Sequence, residues 1–266
     1  MELIVNGARV FVTATGEGPP LLMLHGNPDT HAIWRPLVDL LKGRFRCITP
    51  DLPGFGGTEE PGGFDASLRS SARFVDELAN ALELREPVFL IVHDLGGRYG
   101  LAWLCDHPER VRKVAIANTT FHASYRWHAW ARVWRTPLLG ELSMALMNRP
   151  LFSRELRRGS RKLDRRAIDE AYDAITPATK RAVLRAYRAA NPPAMAPWEA
   201  RLRALVPERV PALVLWGEHD PYILPRFSDE FGAREVHRFP ESGHWVIAEE
   251  ADAVATKLLA FFDERG

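Results

Sequence analysis

The stretch Ile91-Val92-His93-Asp94-Leu95-Gly96-Gly97 decides the fold that we predict for this chain. The apolar run at residues 89–92 is typical of the end of a buried β-strand, and a helical pattern begins near Arg98. Two glycines follow close after Asp94, and small residues let a strand and a helix pack closely across a sharp turn. The stretch therefore predicts a strand, a tight turn and a helix, with Asp94 as the reactive side chain at the turn.

Apolar runs and amphipathic stretches alternate on both sides of this turn. Further strand patterns lie at residues 21–24, 45–49, 111–117, 210–216 and 234–239. This alternation, with its short connections, predicts a mainly parallel central sheet flanked by helices on both faces. From about Thr120 to Ala204 only helical patterns remain. We therefore predict an α/β core from residues 1–119 and 205–266, with a helical cap from residues 120–204 inserted between two strands.

Length, charge and cysteine content limit the classes of function. A chain of 266 residues can bury one sizeable core, and its formal net charge of +1 implies no general affinity for nucleic acid. No apolar stretch has the roughly 20 residues of a membrane helix, and the N-terminus lacks a signal-peptide pattern. We therefore expect a cytoplasmic monomer or homodimer. Cys47 and Cys105 lie in apolar contexts and are expected to be buried free thiols.

The charges are unevenly distributed along the chain. Residues 120–204 contain 17 Lys and Arg but 7 Asp and Glu, which gives this segment a net charge of +10 and leaves −9 for the rest. Two explanations are open at this point. The segment either presents an ordinary solvated helical surface or attracts an anionic substrate.

Three reactive residues lie in turns that follow predicted strands. Asp94 ends one strand, Asp220 lies just beyond the strand that ends near Trp216, and His244 follows the last strand. Ligands of open α/β sheets bind at the carboxyl ends of the strands. A carboxylate at a helix N-terminus stays ionised and can attack an electrophilic carbon to form an ester. Asp94, His244 and Asp220 are therefore the candidate catalytic residues.

These motifs together resemble the α/β-hydrolase superfamily. The chain order of nucleophile, acid and histidine is that of the superfamily, and aspartate stands where serine is usual, as in the branch with an aspartate nucleophile. The whole chain is most similar to haloalkane dehalogenases and is also similar to epoxide hydrolases. The resemblance implies an α/β-hydrolase fold with an inserted helical cap. Besides the Asp94 turn, it rests on His25-Gly26-Asn27-Pro28, Asp51-Leu52-Pro53-Gly54-Phe55-Gly56, Trp216-Gly217-Glu218-His219-Asp220 and Gly243-His244.

The resemblance implies hydrolysis in two steps at an sp³ carbon. Asp94 would displace a leaving group and become an ester, and His244, oriented by Asp220, would activate the water that hydrolyses this ester. The backbone N–H groups of Asn27 and Leu95 would form the oxyanion hole. The substrate would be a small or medium apolar molecule, with no nucleic-acid or membrane partner. No cofactor is implied, and no spacing of histidines indicates a metal site.

The residue after the nucleophile leaves the substrate class open. Haloalkane dehalogenases usually place there a tryptophan whose indole N–H holds the halide, whereas this chain has Leu95. The amide of Asn27, together with Trp127, Trp130 or Trp134 of the cap, could hold a halide instead. The same spacing also fits helix packing. Haloalkanes rank first among the predicted substrates because of the overall resemblance.

Other functions are also open. Epoxide hydrolases, ranked second, use cap tyrosines that donate to the epoxide oxygen, and Tyr187 is the best candidate among Tyr125, Tyr172 and Tyr187. Fluoroacetate dehalogenases carry an arginine at the position of Arg98 to hold a carboxylate, but Leu95 replaces their second arginine. Haloacids or β-lactones therefore rank third. A ligand-binding protein on a degenerate hydrolase fold is the non-enzymatic alternative.

Overall fold

The computed structural model describes residues 1–263, and its centre is one eight-stranded sheet. The strands are β1 (Glu2–Val5), β2 (Ala8–Thr15), β3 (Pro20–Leu24), β4 (Arg46–Pro50), β5 (Val88–His93), β6 (Val111–Ala117), β7 (Ala212–Gly217) and β8 (Glu235–Phe239). They lie in the order β1-β2-β4-β3-β5-β6-β7-β8. The β1–β2 and β2–β4 pairs are antiparallel, and all the other pairs are parallel. The predicted mainly parallel sheet is therefore confirmed.

Both faces of the sheet are buried, as its apolar strands require. Successive side chains of a strand point to opposite faces. In β5, Leu90 and Val92 belong to one apolar cluster, whereas Phe89 and Ile91 belong to a second cluster on the other face. A strand covered on both sides is apolar throughout rather than alternating, which is why residues 89–92 form a continuous apolar run.

Helices cover the two faces of the sheet and fill the interval between β6 and β7. Within residues 1–263 they are α1 (Arg35–Leu41), α2 (Leu68–Ala81), α3 (Leu95–Asp106), α4 (Ala129–Arg135), α5 (Leu139–Leu146), α6 (Arg149–Gly159), α7 (Arg165–Asp173), α8 (Pro177–Ala189), α9 (Ala196–Leu205), α10 (Val246–Glu249) and α11 (Ala251–Asp263). Helices α2 and α3 contribute to one apolar cluster, and α1 and α11 contribute to the other. None of these helices is long and apolar enough to cross a bilayer.

Helices α4 to α9 follow β6 and precede β7, where the sequence predicts the cap. The last of them, α9, packs against α3. The division of the chain at residues 120 and 204 stays a prediction. Cys47 and Cys105 are free and buried, as expected.

The turn between β5 and α3 is as tight as the glycines predict. Asp94 alone separates the two elements, and its backbone has φ 46° and ψ −117°. Residues other than glycine seldom adopt a positive φ. A Cβ atom on Gly96 would overlap the carbonyl oxygen of Leu24, so only glycine lets α3 approach β3 this closely. The turn places Asp94 at the N-terminus of α3, at the carboxyl end of the parallel strands.

Candidate active site

Asp94 and His244 face each other across a short gap. The Oδ1 atom of Asp94 accepts a hydrogen bond of 2.8 Å from the backbone N–H of Asn27, which follows β3. Its Oδ2 atom lies 3.5 Å from Nε2 of His244. One carboxylate oxygen is therefore held by a backbone donor while the other is directed towards the imidazole.

Asp220 holds the other side of the imidazole. Its Oδ2 atom lies 2.7 Å from Nδ1 of His244 and also accepts the side-chain amide of Asn118 at 2.9 Å. Its Oδ1 atom accepts the backbone N–H groups of Tyr222 and Ile223 at 2.7 and 3.0 Å. These donors fix the orientation of Asp220, so Nδ1 of His244 carries the proton and Nε2 faces Asp94.

Asp94 and His244 shift each other's pKa because they form a buried pair. Burial raises the pKa of Asp94, but the hydrogen bond and charge of His244 and the N–H of Asn27 outweigh burial and hold that pKa well below its usual range. Burial lowers the pKa of His244, but the carboxylates of Asp220 and Asp94 outweigh it and raise that pKa. The pair is therefore a carboxylate and an imidazolium at neutral pH.

A second layer of polar side chains supports the His244 turn. Nε2 of His93 donates to the carbonyl oxygen of His244 at 2.9 Å. The indole N–H of Trp245 donates to Asp29 at 2.9 Å, and Asp29 is 3% exposed. Burial lowers the pKa of His93 to about 4 and raises the pKa of Asp29 to about 7. Both groups are neutral over much of the acidic range, which suits their buried positions.

A cavity of about 460 Å³ opens onto Asp94 and His244. Most of the residues that line it belong to α4, α5, α6 and α8, and most of these have leucine, valine, methionine or aromatic side chains. Leu139, Leu142 and Leu146 line it and are 46%, 53% and 65% exposed, so the cavity reaches the surface at α5. Its shape and lining suit an apolar ligand with one polar group near Asp94.

Tyr187 and His128 line this cavity beside Asp94. Burial and the Asp94 carboxylate raise the pKa of Tyr187 well above its usual value, while the side chain of Asn27 acts in the opposite direction. Burial lowers the pKa of His128 to about 4, and its Nδ1 accepts the N–H of Ala131 at 3.3 Å. At neutral pH, Tyr187 therefore keeps its O–H and the neutral His128 carries its proton on Nε2, so both are hydrogen-bond donors.

The predicted cap tryptophans lie in different places. Trp130 and Trp134 line the large cavity, and the Trp134 ring is 4.8 Å from that of Tyr187. Trp127 instead lines a smaller cavity and packs beneath Arg135. The reason is local: His128 is the N-cap of α4, so Trp127 precedes the helix and does not share the face of Trp130.

Arg98 and Leu95 also line the smaller cavity rather than the large one. The guanidinium of Arg98 donates to the carbonyl oxygens of Ala186 and Ala66, at 2.9 and 3.1 Å. Two of its nitrogen atoms are therefore occupied in joining α3 to α8 and to the loop before α2. The placement of Leu95, the first residue of α3, agrees with its lack of a polar side chain.

Sequence reasoning missed three residues near the site. Asn118, which has φ 32°, donates to Asp220 and accepts the N–H of Gly217 at 2.9 Å. The ring of Tyr222 packs edge-on against His244 at 5.1 Å. His128 is the third. Only Asn118 had a detectable signal, a polar residue directly after a buried strand, because the other two reach the site through cap and loop geometry.

One further cluster lies away from this site. Ligand atoms of His122, Glu199 and Glu230 lie within 4.8 Å of one another. Arg203 already lies 3.0 Å from Glu199 and 3.5 Å from Glu230, so the carboxylates have a cationic partner in the fold. The three residues are far apart in the sequence, so their spacing does not predict this cluster.

The fold agrees with comparisons to known proteins. A family model described as the alpha/beta hydrolase fold matches residues 19–251, and the chain therefore belongs to that family. Haloalkane dehalogenase 2 of Mycobacterium tuberculosis is 30% identical over 96% of this chain and 91% of its own length. The predicted likeness to haloalkane dehalogenases is thereby confirmed.

Two other proteins show the breadth of the family. Cis-3-alkyl-4-alkyloxetan-2-one decarboxylase of Shewanella oneidensis is 28% identical over 97% of this chain and 86% of its own length. The crystal structure of Cfl2 from Burkholderia cenocepacia is similar with a TM-score of 0.84 and 25% identity, covering 98% of this chain and 94% of that one. Proteins named for different activities thus share this fold, so the fold alone does not define the substrate.

Proposed function

We propose that the protein is a hydrolase that forms a covalent ester on Asp94, and that its substrate is an apolar epoxide. The observation that carries the substrate class is the protonated hydroxyl of Tyr187 beside Asp94, in a cavity lined mainly by apolar side chains. An epoxide needs a proton donor when its ring opens, because the leaving oxygen stays on the substrate as an alkoxide. A halide needs no proton.

In the first step, Oδ2 of Asp94 attacks a ring carbon and the carbon–oxygen bond of the epoxide breaks. Tyr187 gives its proton to the departing oxygen, which leaves a hydroxyalkyl ester on Asp94 and a tyrosinate. Asp220 and Asp94 both raise the pKa of His244, and esterification removes the negative charge of Asp94 and so lowers that pKa. The imidazolium then returns a proton to Tyr187 and becomes a neutral base.

In the second step, water attacks Cγ of the Asp94 ester. Nε2 of His244 takes a proton from the water, and Asp220 stabilises the imidazolium that forms. The N–H of Asn27, which already binds Oδ1 at 2.8 Å, stabilises the oxyanion, and the N–H of Leu95 is its proposed partner. Collapse releases a diol and restores the ion pair of Asp94 and His244. One epoxide and one water are consumed for each diol formed.

Haloalkanes are the second candidate substrates. The 30% identity to a haloalkane dehalogenase supports them, as does the position of Trp130 and Trp134 on the large cavity. The amide of Asn27 would supply one halide contact and one of these indoles the other. The same ester on Asp94 would form, without the hydroxyl group, and halide and a proton would be released.

The remaining alternatives have less support. A haloacid would need Arg98 to hold its carboxylate, but that guanidinium already donates to two carbonyl oxygens and lies off the large cavity. A β-lactone remains an alternative substrate because one relative is named for an oxetan-2-one, which is a β-lactone. A ligand-binding protein would not require the hydrogen-bonded set of Asp94, His244 and Asp220.

The experiment that tests the proposal is trapping of the ester. We expect His244→Phe to form the ester and to hydrolyse it too slowly for turnover, since the base is missing. The variant is incubated separately with terminal epoxides and with haloalkanes, and the intact protein is weighed. A mass increase equal to the whole epoxide, located on the Asp94 peptide, supports epoxide hydrolysis.

Matched variants make the result interpretable. Asp94→Asn in the same background should give no adduct, and circular dichroism of both variants checks folding. An adduct that equals an alkyl group without halogen, and none from epoxides, favours haloalkanes. Absence of any adduct in a folded variant, with no halide or diol released by the unmodified protein, contradicts an ester mechanism and favours the binding protein.

A further inference from the structure

A second, smaller cavity of about 40 Å³ adjoins Asp94. Its lining includes Arg98, Thr120, Tyr187 and Ala190, and it does not include the exposed leucines of α5. Asp94, His128, Tyr187 and Tyr222 line both cavities, so the two cavities adjoin at Asp94. A group held in the small cavity would approach Asp94 from the side of Arg98 and Thr120.

Two residues of this lining each carry a buried polar atom that has no hydrogen-bond partner within residues 1–263. These atoms are Nε of Arg98, a side chain that is 8% exposed, and Oγ1 of Thr120. Arg98 also forms no ion pair with any carboxylate in residues 1–263. Buried donors and acceptors without partners are costly, and native proteins usually satisfy them with ordered water. A cavity of this size exceeds the roughly 10–15 Å³ that one water requires.

The second step of the proposed reaction requires a water molecule close to Asp94. Once the ester has formed, its alkyl group fills the large cavity, whose lining is mainly leucine, methionine and aromatic side chains. Water would then have to reach the ester from elsewhere. The small cavity touches Asp94 and has Arg98 and Thr120 in its lining, whereas most of the residues that line the large cavity are apolar.

We propose that the small cavity binds the water that supplies the second step, held by Nε of Arg98 and the hydroxyl of Thr120. This inference rests on the proposed function, because it concerns the hydrolysis of the ester on Asp94. Water moves from the cavity past Asp94 to Nε2 of His244, gives up its proton there, and adds to Cγ of the ester. Arg98 and Thr120 are positioning residues in this scheme and exchange no proton.

Two substitutions test the water site without touching the reacting groups. Ala190→Val fills part of the cavity, and its backbone at φ −73° and ψ 122° is extended and accepts a branched side chain. Thr120→Val removes the hydroxyl with little change of shape. We expect each to slow hydrolysis of the ester by about tenfold or more, because an ordered water loses its place or its partner. Ester formation should change by less than about twofold.

The measurement is rapid mixing with an excess of epoxide or haloalkane, followed by acid quench and intact mass. Ester formation is the rise of the adduct, and ester hydrolysis is the steady release of product. Ala189→Val, on an exposed position of α8, is the matched control and should resemble the unmodified protein. Accumulation of the adduct in the Ala190 and Thr120 variants, and not in this control, supports the proposal.

Other outcomes separate the inference from the proposed function. If His244→Phe traps the ester but both cavity variants hydrolyse it at the normal rate, the water site is wrong and the ester mechanism stands. If Thr120→Val raises the melting temperature and leaves hydrolysis unchanged, the hydroxyl has no water partner. Saturable inhibition of the second step by chloride or bromide would make the cavity an anion site and overturn the proposal. Absence of adduct in all variants contradicts the proposed function itself.

Discussion

Tyr187 is the side chain that distinguishes the two leading substrate classes. Its hydroxyl would protonate the departing oxygen of an epoxide, whereas a departing halide takes no proton. We expect Tyr187→Phe to lower the rate of ester formation from epoxides by about a hundredfold or more, as loss of a general acid does. Ester formation from haloalkanes should change by less than about threefold. Adduct formation in the His244→Phe background measures both rates.

Tyr172→Phe provides the matched control for this change. Tyr172 is a half-buried tyrosine of α7 that packs against Phe152 and below Arg149, and it lines neither cavity. It should leave both rates unchanged. An equal loss for epoxides and haloalkanes in Tyr187→Phe would mean that the ring shapes the cavity and donates no proton.

The residues of the candidate site differ in how well the sequence predicts them. Asp94, Asp220 and His244 could be singled out because each follows a strand in a turn of recognisable composition, and parallel strands bring such turns to one edge of a sheet. His128 and Tyr222 had no such signal. Their positions depend on how α4 and the loop after β7 pack, and no local pattern encodes that packing. The sequence also did not predict which tryptophans line the large cavity. Because α4 begins at Ala129, Trp127 precedes the helix and does not line that cavity.

At the scale of elements, α5 forms the outer rim of the large cavity. Leu139, Leu142 and Leu146 lie on one face of this helix and combine exposure with contact to the cavity. An apolar helix face that is exposed beside a cavity suits the outer part of a long substrate. The rim therefore predicts that affinity depends on chain length.

We expect kcat/KM for straight-chain epoxides to rise about threefold to fourfold per methylene until the chain reaches the rim, since each buried methylene contributes about 0.8 kcal/mol. Leu142→Gln should lower kcat/KM about fivefold for chains that reach α5 and leave short substrates unchanged. The measurement is kcat/KM across a series of chain lengths. Leu224→Gln is the control, because Leu224 is 53% exposed and lies off both cavities. A uniform loss at every length would contradict a role of the rim.

At the scale of the whole molecule, part of the uneven charge forms ion pairs between residues 120–204 and the rest of the chain. Ion pairs connect basic and acidic side chains across this division: Lys162 with Glu250, Arg185 with Glu60, Arg201 with Asp106, and Arg35 with Glu170. These pairs are largely exposed, so each contributes about 0–1 kcal/mol. The basic segment thus has partners on the protein surface, which favours the simpler of the two explanations for its charge.

One buried carboxyl group, that of Asp29, should make the free energy of unfolding of the whole molecule depend on pH. Burial raises the pKa of Asp29 from 3.8 to about 7, and the nearby Asp94 carboxylate adds to this effect while the N–H of Trp245 opposes it. Between about pH 4 and 7 the folded protein therefore holds a proton that the unfolded chain has lost. The contribution of Asp29 to the free energy of unfolding is thus present at low pH and is lost as the pH rises through about 7.

Asp29→Asn removes this titration and keeps an oxygen that accepts the N–H of Trp245. Relative to the unmodified protein, we expect its free energy of unfolding to increase by on the order of 3 kcal/mol between pH 4.5 and pH 8, since one pKa unit corresponds to about 1.4 kcal/mol. Urea denaturation across this range measures the difference. Asp252→Asn, on an exposed position of α11, is the control for removal of a carboxylate elsewhere on the protein. Parallel curves for Asp29→Asn and the unmodified protein would show that Asp29 titrates as an ordinary carboxyl, because only a raised pKa makes the two diverge.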